Sequence, residues 1–332
     1  MRRGRVFAGL MTVLAVASAT VAPQAVAAAC QYTVQDLPLP AVAFQAEMTG
    51  SSTNNSRIVG VRGETGSKYG LLWVNNVLRE MPGVSQTDVI PAAVNNVSVV
   101  AGRQEHRPAG SDSVTFKAFR YEAGVYTMLE TEPGEQSWAL GINDAGDVVG
   151  LVAPQFTYSY ATVVMWPRSG PRKTFGVGYP RGIDAQRRIV MLADSSSISR
   201  ESGWVVDTDT GAKVELPGAQ SPLVFDNGRV LNFERLNDRE SQITEWDLTG
   251  TKVAAHAGGV RPFGRNGSGT VFGTDRSLAP TLWRPSGRTV VQAPFLPMWD
   301  HYGEITDAAT LIGTYTNADR HLRPARWLWV CS

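Results

Sequence analysis

The stretch Leu140–Gly150, LGINDAGDVVG, decides the fold of this chain. It consists of a short apolar run, a turn at Asn143-Asp144-Ala145-Gly146 and a second apolar run that ends in Gly150. Two short apolar runs around Asn, Asp and Gly are typical of antiparallel strands joined by a tight turn. Weaker copies of the pattern recur along the chain, and internal repeats are therefore the main evidence on its architecture.

The chain contains seven copies of this pattern, which can be aligned on the residue equivalent to Gly150. In chain order that residue is Gly60, Gly102, Gly150, Met191, Leu231, Gly273 and Gly313. The steps between copies are 42, 48, 41, 40, 42 and 40 residues. A period of about 40–45 residues is that of a four-stranded propeller blade. The sequence therefore predicts an all-β fold, a seven-bladed β-propeller of four-stranded blades, with residues 30–332 as its single domain.

Each copy except the last continues with an aromatic strand, a turn and a further strand. The aromatic residues are Trp73, Tyr121, Trp166, Trp204, Trp246 and Trp283. The turns after them carry residues that favour hairpins, as at Asn75-Asn76 and Ala123-Gly124. Because sheets that pack face to face need bulky inward residues, we predict that these aromatic side chains form the core between neighbouring blades.

The two ends of the domain predict how the ring of blades closes. The last copy ends after its third strand, RPARWLWVC, whereas the segment from Cys30, CQYTVQDLPLP, resembles the fourth strands of other copies. We therefore expect the N-terminal strand to complete the last blade, which removes the open sheet edges. Cys30 and Cys331 flank the point where other copies have a hairpin turn, and this placement predicts a disulfide bond between them.

The N-terminus predicts secretion. A basic start, MRRGR, precedes a mostly apolar run over residues 6–22, and the small residues at 27–29 supply an A-x-A cleavage site. Residues 1–29 are therefore predicted to be a signal peptide, whose removal leaves Cys30 first in an extracellular protein. Two alternatives stay open, namely an uncleaved membrane anchor and a lipoprotein attached through Cys30.

The composition argues against several classes of partner. The chain has 31 Lys and Arg against 30 Asp and Glu; without the three arginines of residues 1–29 there are 28 against 30, a net charge of −2. There is no basic run, so nucleic acids and anionic membranes are poor partners. No helical periodicity follows the predicted signal peptide. We expect a monomer without a transmembrane span in the mature chain.

The pattern ALGINDAGDVVG, followed by an aromatic strand and a hairpin, resembles the HAF-type bacterial extracellular repeats. The match is good at residues 139–150, fair at 93–102 and 304–313, and degenerate in the other four copies. The resemblance implies a β-propeller in a secreted or surface protein. It implies no catalytic residues, because the repeat family has no agreed ones.

Motifs that would indicate catalysis or metal binding are absent from the sequence. It contains no G-x-S-x-G, H-E-x-x-H, G-x-G-x-x-G or G-x-x-x-x-G-K. The histidines are scattered over separate copies, so neither a metal site nor a cofactor is predicted: His106, His256, His301 and His321. The segment Asp207–Gly211, DTDTG, resembles the opening of a calcium loop but lacks the later ligands. We interpret it as a turn.

Turn chemistry also explains a recurring Asn or Asp in the copies. These residues stand at positions that the sequence alignment makes equivalent: Asn143, Asp184, Asp226 and Asp307. A side-chain oxygen at such a position accepts hydrogen bonds from the following backbone, which fixes the turn. We therefore predict capping residues here and no ligands.

Candidate binding residues lie where segments enter the blades, at one mouth of the predicted central channel. The segment Trp299-Asp300-His301-Tyr302 combines aromatic rings, a carboxylate and an imidazole before the last blade. Arg181 and Arg261 enter their blades at comparable positions. We predict that Arg181, Arg261, Asp300, His301 and Tyr302 bind a polar ligand, either a glycan or an acidic peptide of a protein.

The sequence favours a secreted, non-enzymatic binding or structural module. One alternative is a polysaccharide hydrolase or lyase with acids such as Asp300 or Glu304 at the channel mouth. Another is a lipid-anchored surface protein. A propeller fold alone does not decide among them, because propellers support many unrelated functions.

Overall fold

A computed structural model describes residues 30–331 apart from 42, 44, 65–66, 85–86, 108–112, 155–160, 194–201, 220–222, 227 and 292–302. The predicted signal peptide at residues 1–29 lies outside the described residues. Within the described ranges the chain forms strands and turns and no helix, which confirms the all-β prediction. None of these residues belongs to a helix long and apolar enough to cross a membrane.

The strands fall into two sets along the chain. The first half contains β1 (Cys30–Asp36), β2 (Ala46–Ser51), β3 (Arg57–Glu64), β4 (Ser67–Val74), β5 (Val77–Glu80), β6 (Thr87–Val94), β7 (Val100–His106), β8 (Thr115–Glu122), β9 (Val125–Met128), β10 (Glu135–Ile142), β11 (Val148–Pro154), β12 (Thr162–Trp166) and β13 (Lys173–Ile183). The second half contains β14 (Arg188–Ala193), β15 (Ser202–Asp207), β16 (Lys213–Leu216), β17 (Leu223–Asp226), β18 (Arg229–Asn237), β19 (Glu240–Trp246), β20 (Lys252–Ala257), β21 (Gly259–Arg265), β22 (Val271–Asp275), β23 (Pro280–Arg284), β24 (Gly287–Val290), β25 (Gly303–Ile305), β26 (Leu311–Thr316) and β27 (Leu322–Cys331).

These strands form antiparallel sheets, most of which contain four strands. The four-stranded sheets are β2-β3-β4-β5, β6-β7-β8-β9, β17-β18-β19-β20, β21-β22-β23-β24 and β25-β26-β27-β1. The remaining sheet has seven strands, β10 to β16 in order. It is continuous because β13 is long: residues 173–177 pair with β12 and residues 178–183 pair with β14.

The N-terminal strand pairs with the C-terminal strand, as predicted. β1 lies antiparallel to β27, and the register places Cys30 opposite Cys331 and Asp36 opposite Ala325. The sheet that contains both chain ends also contacts the sheet that follows it in sequence, since the Met48 amide donates to Thr314 Oγ1 at 2.9 Å. The first and last described strands are therefore joined by sheet pairing.

The first strands of five repeats contain a β-bulge, between Met48 and Gly50, Pro91 and Ala93, Ala139 and Gly141, Pro180 and Gly182, and Pro262 and Gly264. Opposite four of these bulges the aligning residue is glycine, and opposite the bulge at Pro180 it is Met191. A Cβ on Gly150 would lie 1.9 Å from the Trp138 carbonyl oxygen and 2.9 Å from the Trp166 ring. At this position glycine is therefore needed, because the bulged backbone comes close.

The recurring aromatic residues pack between sheets, which confirms their predicted place in the core. Trp166 on β12 clusters with Ala101, Ala118 and Leu129 of the preceding sheet. Its indole N–H donates to the Glu130 carbonyl oxygen at 2.7 Å. The side chains of Trp73, Trp246 and Trp283 are likewise buried, whereas Tyr121 and Trp204 are half-buried. Burial of large rings between sheets contributes about 1.5–3 kcal/mol for each fully buried side chain.

Candidate functional site

The first strands of the repeats enclose a cavity of about 720 Å³. Its wall is formed by residues of β2, β6, β10, the second half of β13, β17, β21 and β25. The short turns that follow these strands stand at one end of the cavity. Concave sites of this size are typical of small-ligand binding.

Two arginines in the cavity wall lie over aromatic rings of their own strands. Arg181 Cζ is 4.8 Å from the centre of the Tyr179 ring, and Arg261 Cζ is 5.8 Å from that of Phe263. Arg181 stands at the bulge of β13, and bulges are a common means of redirecting a side chain near a functional site. Both guanidinium groups are half-buried, which strengthens their interaction with the rings and with any anion in the cavity.

Two strands of the wall, β17 and β25, have no bulge. Each carries a large residue at a position where the other first strands carry glycine or alanine. The register aligns Phe225 and Glu304 with Gly50, Ala93, Gly141, Gly182 and Gly264. The Phe225 ring lies against Gly182, where a Cβ would be 2.7 Å from its Cδ1. Glu304 lies against Gly264 in the same way, with 3.4 Å between the added Cβ and its Cγ. The small residue on each preceding strand makes room for the large one.

Glu304 is a buried carboxylate at the edge of this cavity. Its side chain is 7% exposed, and the Ser51 hydroxyl of β2 donates to its Oε2. With its amide oriented to satisfy its neighbours, Asn55 donates to the same oxygen at 3.3 Å. A second carboxylate lies close by, since Asp226 Oδ2 is 3.1 Å from the position of a Gly264 Cβ and accepts the Arg265 amide at 2.7 Å. Hydrogen bonds hold both carboxylates in place.

The remaining part of the wall is small and uncharged in its strand residues. It consists of residues 49–51 of β2, 92–94 of β6 and 140–142 of β10, with the sequences TGS, AAV and LGI. Among the strand residues of the wall, the charged and aromatic side chains are therefore supplied by β13, β17, β21 and β25. The turn after β10 adds the carboxylate of Asp144 to the lining.

The turns at one end of the cavity are joined to one another by hydrogen bonds. The Asn95 Nδ2 group donates to the Asn143 carbonyl and Asn143 Nδ2 donates to the Asp184 carbonyl, both at 3.0 Å. Asn266 Nδ2 donates to the Thr306 carbonyl at 3.0 Å in the same manner. The amide side chains of Asn95, Asn143 and Asn266 thus tie each of their turns to the turn of the next repeat.

Two of the four predicted capping residues take that role. Asn143 Oδ1 accepts the Asp147 amide at 2.9 Å and Asp184 Oδ1 accepts the Arg188 amide at 2.7 Å. Asp226 pairs with Arg229, and residue 227 of its turn lies outside the described residues, so its role as a cap stays a prediction. The prediction is wrong for Asp307, because Thr306 makes the turn in the last repeat. A shift of one residue in the alignment of this degenerate repeat causes the error.

Asp147 joins two neighbouring repeats through a buried ion pair. Its carboxylate, 1% exposed, accepts Arg187 Nε at 2.8 Å and Arg187 Nη2 at 3.0 Å. Burial alone would raise the pKa of Asp147, but hydrogen bonds from Arg187, the Arg168 amide and Asn143 lower that pKa to about 2. The pair is a structural connection and lies outside the cavity wall.

The structure brings together two of the five residues predicted to bind a ligand. Arg181 and Arg261 line the same cavity, and their role in binding stays a prediction. Asp300, His301 and Tyr302 lie outside the described residues. Sequence reasoning did not single out Phe225 or Phe263. The available signal was their place in the first strands of degenerate repeats, where the pattern has a small or aliphatic residue.

The described residues give no group of three or more His, Cys, Asp or Glu side chains that could hold a metal ion. Asp207, in the calcium-like segment, accepts the amides of Asp209 and Thr210 at 3.0 and 2.8 Å, as in an ordinary turn.

No family model and no curated protein matches the chain, so the resemblance to the HAF repeats stays a prediction. Solved structures do match. An oligogalacturonate lyase in complex with manganese is 9% identical, with a TM-score of 0.59 over 92% of this chain and 98% of that one. The oligogalacturonate lyase of Vibrio parahaemolyticus is 8% identical, with a TM-score of 0.61 over 91% of this chain and 97% of that one.

A third similar structure is the acylaminoacyl peptidase of Pyrococcus horikoshii, 12% identical, with a TM-score of 0.54 over 82% of this chain and 50% of that one. Together with the four-stranded sheets, these likenesses show a β-propeller fold. They also overturn the expectation that the protein is not an enzyme, since the structures that match nearly the whole chain are lyases. At 8–9% identity they are weak evidence for catalysis and assign no specific function.

Proposed function

We propose that this protein binds an acidic oligosaccharide in the cavity between the first strands of its sheets. The observation that carries the proposal is the presence of two half-buried arginines, Arg181 and Arg261, each over an aromatic ring in one cavity. A guanidinium group matches a carboxylate with two parallel hydrogen bonds. The Tyr179 side chain is 39% exposed and offers apolar surface for the C–H groups of a sugar ring.

The similar structures support the same class of ligand. Two of them are named for oligogalacturonate, a chain of sugars that each bear a carboxylate. That name belongs to those proteins, and the residues of this chain are consistent with it, because a uronate supplies both a carboxylate for arginine and a ring for an aromatic face. An acidic peptide, the other ligand expected from the sequence, has the carboxylates without the rings.

Calorimetric titration with trigalacturonate tests the proposal. Removing both guanidinium groups, in R181A/R261A, should weaken binding by about a hundredfold, since a hydrogen bond to a charged group contributes about 1.5–3 kcal/mol. The matched control is T49V, which changes a wall residue of the uncharged part of the cavity and should bind as the wild type does. Equal affinity of the wild type and the double variant, or no binding by the wild type, would overturn the proposal.

A second candidate function is eliminative cleavage of the bound sugar chain. The observation that favours it is the likeness to two lyases over 91% and 92% of this chain. An arginine on the uronate carboxylate would stabilise the negative charge that develops when the adjacent C–H loses its proton. The double bond formed when the glycosidic oxygen leaves absorbs ultraviolet light. A rise in absorbance with trigalacturonate that R181A/R261A lacks is expected, and a flat trace with bound ligand contradicts this candidate.

We further propose that the sheets form seven blades in a closed ring, with β13 shared by two of them. In support, the first strands of all these blades line one cavity, and Ser51 and Glu304 join the first and last of them. The backbone register of Cys30 and Cys331 suits a disulfide, because opposite residues of antiparallel strands have Cα atoms about 4.5–5.5 Å apart. Alkylation of the unreduced protein should label neither thiol; two labelled thiols would contradict the bond.

Secretion after cleavage behind Ala29 completes the proposal. Mass spectrometry of the mature protein should find Cys30 as the first residue without an acyl group. An acylated Cys30 would favour the lipid-anchored alternative. Sedimentation should give the mass of a monomer, whereas a larger mass would contradict that expectation.

A further inference from the structure

Four successive strands of the cavity wall present four different kinds of side chain. From β13 to β25 they are a cation, an aromatic ring, a second cation and a carboxylate, supplied by Arg181, Phe225, Arg261 and Glu304. The wall residues of β2, β6 and β10 have the sequences TGS, AAV and LGI and carry no charge. On the other side of the cavity an anion meets attraction at Arg181 and Arg261. It meets repulsion at Glu304 and at Asp226, the residue after Phe225.

Phe225 lies between the two arginine-bearing strands. Its ring lies against Gly182, the residue that follows Arg181, and its side chain is half-buried at the cavity surface. An apolar ring in this place separates two cationic positions by a surface that offers no hydrogen bond. A flat C–H face of a sugar suits it, and a hydrated ion does not.

Glu304 is next to the second arginine-bearing strand. Phe263, which lies under the Arg261 guanidinium, also contacts Gly303: a Cβ there would be 3.5 Å from Phe263 Cγ. A carboxylate only accepts hydrogen bonds, so it suits the hydroxyl groups of a ligand. It repels a second carboxylate, because two like charges a few ångströms apart repel each other more strongly near a protein surface than in bulk water.

We propose that the cavity selects an acidic sugar next to an uncharged one, with Glu304 as the residue that sets this specificity. The arginines hold the uronate, Phe225 supports a ring face, and Glu304 accepts hydroxyl groups of the uncharged neighbour. A chain that is acidic at every ring places a carboxylate against Glu304 and binds less tightly. This proposal rests on the proposed function and names the pattern of charge in its ligand.

Three trisaccharides of equal length test it by calorimetric titration: trigalacturonate, its forms with one methyl ester, separated by position, and its fully methyl-esterified form. For the wild type we expect one singly esterified form to bind about tenfold more tightly than trigalacturonate, and the fully esterified form to bind weakest. Binding of all three too weak to measure would be a failure of the proposed function. Equal or tighter binding of trigalacturonate would overturn only the specificity inferred here.

E304Q distinguishes a role in specificity from a role in folding. Glutamine keeps the shape and can still accept the Ser51 hydroxyl, so the variant should fold, as its melting temperature will show. It should bring the affinities for trigalacturonate and the singly esterified form within about twofold of each other. If Glu304 were only structural, both affinities would fall together and their ratio would persist. F225L, which keeps an apolar side chain without a flat ring, should weaken both forms equally.

Discussion

The two sides of the cavity wall are built on the same repeat and differ in chemistry. β2, β6 and β10 all contain the bulge and contribute small or aliphatic residues, as in the LGI of residues 140–142. On the other side, β17 and β25 lack the bulge, and the strand β13 uses it to place Arg181. The neutral wall comes from bulged strands alone. The functional groups come from both kinds of strand, since Arg181 and Arg261 lie on bulged strands and Phe225 and Glu304 on unbulged ones.

Regular and irregular repeats of this chain therefore reveal different things. A regular repeat shows what the fold requires, and an irregular one shows where a residue of the pattern has been replaced. The regular stretch Leu140–Gly150 satisfies the demands of the fold, because a bulge, a glycine and an aromatic ring must fit together. An irregular repeat that still forms its sheet has replaced one of these elements. Phe225 and Glu304 replace small residues, and each is accommodated by a glycine on the preceding strand. Such replacements are expected at functional sites, where residues often depart from the local sequence preferences of the fold.

The largest loss of stability is expected when Gly150 is replaced by alanine, which adds a methyl group at this position. A Cβ there would meet the Trp138 carbonyl at 1.9 Å and the Trp166 ring at 2.9 Å, so the bulge of β10 must shift. G150A should lower the free energy of unfolding by about 3 kcal/mol or more. Denaturant titration measures this loss.

G63A is the matched control for that variant. Gly63 also lies in a second strand, but a Cβ there would have Gln45 Nε2 at 3.6 Å as its nearest neighbour. Its free energy of unfolding should stay within about 0.5 kcal/mol of the wild type. If G150A and G63A proved equally stable, the bulge would not be the reason for glycine.

On the other side of the wall, the residue equivalent to Gly150 is Leu231. Making this large residue smaller tests the same comparison in the opposite direction. Leu231 pairs with Val224 of the unbulged β17, is fully buried and packs with Ile243 and Trp283. L231A should therefore cost about 3 kcal/mol by leaving a cavity. Denaturant titration of L231A and L231V should give a graded loss. A neutral L231A would mean that the unbulged repeat does not depend on a large residue here.

The ion pair between Asp147 and Arg187 predicts a smaller effect, with a distinct dependence on pH. D147N should lower the free energy of unfolding by about 2 kcal/mol at neutral pH and leave sugar binding unchanged. Since the pKa of Asp147 falls from 3.8 to about 2 on folding, its contribution is complete above pH 3.8 and is lost as the pH falls towards 2. Wild type and D147N should converge over that range in acid denaturation, and parallel curves would contradict the assignment.

The sequence predicted the elements that sheet geometry imposes and missed those set by packing between sheets. The repeat spacing, the pairing of the chain ends and the buried aromatic residues followed from periodicity and turn chemistry, and the structure confirms them. The continuous β13 was not predictable, because Gly176, Gly178 and Pro180 within residues 173–183 are typical of a break between two strands. Arg181 and Arg261 were found as charged residues entering their repeats. Phe225 was missed because a phenylalanine in a strand is expected in the core. Only the strand register reveals that the equivalent residue in the bulged strands is glycine or alanine.

The smallest predicted difference in stability concerns the hydrogen bonds of two indole N–H groups, that of Trp166 on one side of the wall and that of Trp246 on the other. Trp166 donates to the Glu130 carbonyl at 2.7 Å, whereas Trp246 donates to Asn232 Oδ1 at 2.9 Å. W166F and W246F remove a similar side-chain volume. The difference between their losses of stability therefore reports on the hydrogen-bond acceptor that each indole N–H leaves behind. Asn232 Oδ1 keeps the Thr244 hydroxyl as a donor, but the Glu130 carbonyl loses the protein donor identified for it. W166F should therefore be about 1 kcal/mol less stable than W246F in denaturant titration. Equal losses would show that the volume of the ring, and not its hydrogen bond, determines the contribution of tryptophan on both sides.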